Sequence, residues 1–180
     1  MLDWFRKTAV ATPEPIALKR AAGAPHPSAA ARSVPEPHAH NIAPYDKDLI
    51  SGYLADHRNI LEVFGKVKQA AQQQQWTEVS AQLAEFRTAF NHHRANESVR
   101  LYLHLLSRSG NDLEQMKRFS EEMHNIGKSV ALFLRSQADI ADVPEKQHSF
   151  LANWADIGHV LGKRVSSEEK TLYPMYQDGN

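Results

Sequence analysis

Cysteine is absent from the 180 residues, which excludes disulfides and thiolate metal sites alike. Neither sign of charge is in excess: 21 Lys and Arg stand against 21 Asp and Glu, so the chain carries no basic footprint for nucleic acid. No apolar run approaches the ~20 residues of a membrane helix. Residues 1–10 include Trp4, Phe5, Arg6 and Lys7 but no long apolar core, so they do not read as a signal peptide. A soluble cytoplasmic protein is therefore expected. A glycine-rich phosphate loop, a nucleophile elbow and a readable serine–histidine–acid set are also missing, and no enzyme activity is expected. Histidine, by contrast, is plentiful, with ten residues.

Residues 1–44 hold seven of the nine prolines among Ala, Ser and Gly, with too few apolar groups for a core. They read as a disordered tail. Met1, Leu2, Trp4 and Phe5 form a short amphipathic peptide at its tip, fit either to dock on a protein partner or to pack back on the domain. His26, His38 and His40 lie in this tail, where nothing holds them in register. The domain proper spans 45–180.

There the pattern turns helical. The first helix, about 46–72 with Asp46 or Asp48 as cap, carries the stripe Ile50, Tyr53, His57, Ile60, Phe64, Val67, Ala71. A polar break at Gln72 to Gln75 precedes the second, about 76–107, with Thr77 as cap. Its stripe is Val79, Leu83, Phe86, Phe90, His93, Glu97. Ser109, Gly110 and Asn111 signal a turn. The third helix, about 112–137, buries Met116, Phe119, Met123, Ile126, Val130 and Phe133, with His124 flanking the stripe. After a loop near Asp139 to Val143, Pro144 suits a helix start. The fourth, about 145–176, buries Phe150, Trp154, Ile157, Leu161, Arg164 and Glu168, and Pro174 disrupts or ends it. Four amphipathic helices with short loops predict an all-α, antiparallel up-down-up-down four-helix bundle.

Ionisable residues interrupt these apolar faces at one level. Counted at ~1.5 Å per residue from the same end of the bundle, His57, His93, His124 and Arg164 fall within about one helical turn of each other. A weak repeat supports this: His93-x-x-x-Glu97 followed by Leu101-Tyr102 matches Arg164-x-x-x-Glu168 followed by Leu172-Tyr173. The i, i+4 spacing stacks each pair on one helix face. Buried charge is costly unless it is paired or bound to a metal. Imidazole and carboxylate from facing bundle helices suit non-haem iron, manganese or zinc, with His57, His93, Glu97, His124 and Glu168 as candidate ligands. His92, His148 and His159 sit off the stripes and are expected in solvent. His104 reads as a bundle-end residue. Trp76 and Trp154, and more weakly Tyr102 and Tyr173, read as packing.

The ordered set resembles the hemerythrin-like (HHE) family over about residues 46–176. Asp56-His57-Arg58-Asn59-Ile60-Leu61 resembles its first element, His93 to Glu97 its second, His124 its third and Arg164 to Glu168 its fourth. Glu168-Glu169-Lys170-Thr171-Leu172-Tyr173-Pro174 resembles its acidic ending. The resemblance implies a bundle with a non-haem di-iron centre that binds or senses oxygen, nitric oxide or iron, and His57, His93, Glu97, His124 and Glu168 as ligands. Arg164 departs from it, standing where the family has histidine. A guanidinium cannot ligate but can neutralise Glu97 and Glu168 by bidentate bonds. One ion or none is therefore expected.

The fourth helix, through Asp156-Ile157-Gly158, Leu161, Arg164, Glu168 and Lys170, also resembles the regulator-of-sigma-D family. That likeness implies a metal-free adaptor that binds a sigma factor. A carrier or sensor with a degenerate metal site and a protein-binding adaptor are thus the two readings.

Overall fold

A computed structural model describes residues 45–108 and 113–178. The tail, the peptide at its tip and the turn around Gly110 lie outside the described residues. Within them the chain is helical, in four rods. The first is α1, Leu49–Gln72. The second is α2, Trp76–Asn96, which continues through a π-helical turn, Glu97–Tyr102, into α3, Leu103–Arg108. The third is α4, Leu113–Ser136. The fourth is α5, Pro144–Ser167, which continues through a second π-helical turn, Glu168–Leu172, into α6, Tyr173–Asp178.

The rods begin and end where local chemistry dictates. Pro144 opens α5 as expected, because a first-turn residue needs no N–H. Asp48 stands at the cap position of α1, but its side chain makes no capping bond. Asp46 instead accepts from the Asp48 N–H at 2.9 Å. The expected Thr77 cap does not form: α2 already starts at Trp76, and Gln75 stands at the cap position. Between α1 and α2, the Gln75 N–H reaches the Ala70 carbonyl and the Gln74 N–H the Ala71 carbonyl. This is the glycine-type helix stop, here with Gln74 at φ 58°. Pro174 does not end the fourth rod. The wide turn just before it accommodates the missing N–H, and the chain stays helical to Asp178.

Two apolar clusters fill the bundle. One joins Ile60, Val63 and Val67 of α1 to Val79, Leu83 and Phe86 of α2, Val130 and Phe133 of α4, and Phe150 and Trp154 of α5. The other joins Leu49, Ile50 and Tyr53 to Leu101, Tyr102 and Leu105, Met116, and Leu172, Tyr173 and Tyr176. Starts of the first and third rods thus meet ends of the second and fourth, which is consistent with the expected up-down-up-down topology. Each fully buried aliphatic or aromatic side chain contributes about 1.5–3 kcal/mol. Trp154 anchors its cluster. It stacks on Phe64 at 4.3 Å between ring centroids and donates its indole N–H to the Phe64 carbonyl at 3.2 Å.

Every rod changes cluster at the same level. The switch falls between Tyr53 and Ile60, between Phe90 and Leu101, between Met116 and Met123, and between Leu161 and Leu172. The ionisable residues lie in those gaps.

Candidate metal centre

His57, His93, Glu97, Arg164 and Glu168 are all buried, sandwiched between the two clusters. His57 Nε2 lies 3.2 Å from His93 Nε2 and 3.1 Å from Glu168 Oε2. The outer nitrogen of each ring faces a carboxylate. His57 Nδ1 stands 2.8 Å from Glu169 Oε1, and His93 Nδ1 stands 3.5 Å from Asp56 Oδ2. An outer carboxylate at hydrogen-bond distance fixes a histidine's tautomer with its lone pair turned inward, as Glu169 does for His57; His93 Nδ1 faces Asp56 without forming a hydrogen bond. With Nδ1 protonated, two imidazole lone pairs and a carboxylate oxygen converge. A cation or a shared proton reconciles all three, and the Tyr173 hydroxyl, 3.1 Å from His57 Nε2, can donate to one lone pair.

Electrostatics fit that picture. Burial alone would lower the His57 pKa, but its bonds to Glu168 and Glu169 outweigh burial and raise it. Burial and the neighbouring His57 lower that of His93. Burial would raise Glu168, but the His57 bond and the Arg164 charge pull it down. These shifts favour a proton on His57 and a charged Glu168 facing it.

Glu97 is the outlier. It is 0 % exposed, and neither carboxylate oxygen has a hydrogen-bond partner. Burial, reinforced by the charge of Glu168, pushes its carboxyl up to about 9. Arg164 does not form the bridge to Glu97 and Glu168 that its position suggests. Its Nε donates to Glu168 Oε1, one Nη donates to the Tyr102 hydroxyl, and the other donates to Glu122 Oε2 at 3.0 Å. Glu168 thus holds a fixed cation with one oxygen and faces the histidine pair with the other.

Both π-helical turns open on the layer's glutamates, Glu97 and Glu168. A π turn widens the spiral by one residue, so two successive side chains face inward: Leu101 with Tyr102, and Leu172 with Tyr173. The two tyrosines are therefore not plain packing. Tyr102 meets Arg164, and the Tyr173 hydroxyl stands 3.1 Å from His57 Nε2. The Tyr53 hydroxyl donates to the Asn96 carbonyl at 3.0 Å, at the junction where the π turn begins.

His124 does not join this group. Met123 takes the inward position on α4, which leaves His124 exposed about 100° around the helix. The third rod reaches the layer through Glu122 instead. His92, His148 and His159 are exposed as expected. His104 is buried at the bundle end, its ring 4.8 Å from that of Tyr176. Glu169, Asp56 and Glu122 escaped the periodicity argument because each is partly or largely exposed. Only the adjacency of Asp56 to His57 and of Glu169 to Glu168 hinted at two of them.

The hemerythrin HHE cation binding domain family matches residues 48–176. The chain belongs to that family. No curated protein and no solved structure matches it. The layer can be tested for fit to a metal ion. Ligand bonds of about 2.0–2.2 Å place neighbouring ligand atoms about 3 Å apart, and His57 Nε2 stands at 3.2 Å from His93 Nε2 and 3.1 Å from Glu168 Oε2. Among the described residues these three form the group able to hold an ion, their ligand atoms within 4.8 Å of one another. Two imidazoles and one carboxylate suit non-haem iron. This hemerythrin-like bundle therefore fits one ion, with Glu97 and Tyr173 beside it.

Proposed function

We propose that this hemerythrin-like bundle is a non-catalytic carrier or sensor that holds a single non-haem iron ion and responds to oxygen, nitric oxide or iron itself. One observation carries the reading: three buried electron-pair donors converge, with the outer His57 nitrogen held by Glu169, the outer Glu168 oxygen held by Arg164, and the outer His93 nitrogen facing Asp56. When bound, iron supplies redox change and open coordination positions for a small gas. His57, His93 and Glu168 hold it, and Glu169 and Asp56 orient the two rings. Glu97, neutral before loading, is a reserve ligand that ionises when a cation lowers its pKa. Arg164 fills the place of a second ion.

The experiment is metal content per chain, with an optical spectrum, on protein purified from iron-supplemented cells. About one iron per chain is expected. Substoichiometric metal with no iron absorption would overturn the reading and favour the metal-free adaptor, for which Arg164 bonded to Glu168 and Glu122 is the supporting feature. Arg164→His places a new imidazole beside Glu97 and Glu168 Oε1, and loading should then rise above one ion. Unchanged loading would mean that Glu97 is not poised to ligate.

A further inference from the structure

Arg164 has one bond that faces outward. Its side chain is 2 % exposed, and its Nε and one Nη are spent on the buried Glu168 and Tyr102. The third bond goes to Glu122, which is 60 % exposed. A solvated carboxylate on a flexible stem is a weak partner, worth little to stability and easily exchanged for another anion. A surface cavity of about 500 Å³ opens at this point, lined by Gln115, Arg118, Phe119, Glu122 and Ser167. Its wall and the buried guanidinium are in contact twice, through Glu122 and through the Phe119 ring, whose centroid is 5.2 Å from the Arg164 carbon centre.

We propose that this cavity binds a small organic carboxylate, which displaces Glu122 from Arg164. The chemistry follows from the lining. Glu122 already shows that a carboxylate fits the outward N–H of Arg164. Arg118 supplies a second positive charge at the mouth, its Nε 3.4 Å from the Glu114 carbonyl. Phe119 offers an apolar floor for a short carbon chain or a ring, and Gln115 and Ser167 offer polar atoms for a second group. Glu122 is thus a resident competitor that keeps the seat filled until a free acid replaces it. The seat is linked to the interior, because the same guanidinium grips Glu168. It does not depend on a metal being bound.

The test uses the full chain after chelation, titrated with propionate and benzoate at constant ionic strength, with chloride and propionamide as controls. The readout is the Arg164 Nε–H resonance, assigned by its loss in Arg164→Lys. Saturable shifts are expected with the carboxylates and not with the controls. Glu122→Ala removes the competitor and should tighten binding about tenfold, in line with a charge-assisted hydrogen bond. Phe119→Ala should weaken it without altering the fold by circular dichroism. Equal affinity in wild type and Glu122→Ala, or equal shifts with chloride, would overturn the proposal. So would saturable binding that survives with the Arg164 resonance unmoved.

Discussion

Replacing Glu97 with Gln isolates, among the described residues, the one buried carboxyl without a hydrogen-bond partner. Its oxygens are unbonded, and burial holds its proton to about pH 9, against an unfolded value of 4.5. Between those values the native state binds the extra proton, so wild-type stability falls as pH rises and levels off above about 9. Glutamine has the same shape and no such proton. At 1.36 kcal/mol per pH unit, the wild type loses at most about 3 kcal/mol relative to Glu97→Gln between pH 4.5 and 7. For a domain of this size that corresponds to roughly 10 °C in Tm. The assay is thermal unfolding of both proteins, followed by circular dichroism with chelator present, from pH 4.5 to 8. Coincident midpoints are expected at the acid end, with the variant progressively more stable toward the alkaline end. Parallel curves would refute the reasoning, as would a wild type that gains on the variant with rising pH. Repeated with iron or zinc, the gap should close, because a bound cation favours the ionised form.

Three further outcomes follow from the geometry. His93→Leu should abolish the stabilisation by added metal, which for the wild type is about 2.7 kcal/mol at a hundredfold excess over Kd; an equal Tm rise in both proteins would contradict the ligand assignment. Gln74→Gly should stabilise by about 0.5–1 kcal/mol in urea unfolding, since φ 58° suits glycine and strains other residues. Gly158→Ala should destabilise by about 1–3 kcal/mol, because the new Cβ would lie 2.5 Å from the tip of Phe64, a ring already stacked on Trp154; an unchanged urea midpoint would show that Phe64 yields freely.

The sequence made the bundle legible because its apolar stripes have one period and its breaks are marked by Gln72 to Gln75 and Pro144. The height of the polar layer was legible too, since counting along helices is nearly exact at 1.5 Å per residue. Angular position was less so. His124 lies one residue from the stripe, and a 100° step separates inside from outside. No propensity marks the π turns, so the inward swing of Tyr102 and Tyr173 was invisible, and with it their bonds to Arg164 and His57. Glu122 was hidden for another reason. A long side chain on an exposed position reaches inward without leaving any trace in hydrophobic periodicity.

The widened spirals at Glu97 and Glu168 have a lasting effect on the geometry downstream. Each inserts one surplus backbone unit, so the segment beyond it runs on a different angular phase from the segment before. Excising a single residue from 98–101 would return that rod to a uniform pitch. It would then have room for only one of Leu101 and Tyr102 toward the axis, and where that one is the leucine, Arg164 would lose a hydroxyl acceptor while no ligand position had been touched.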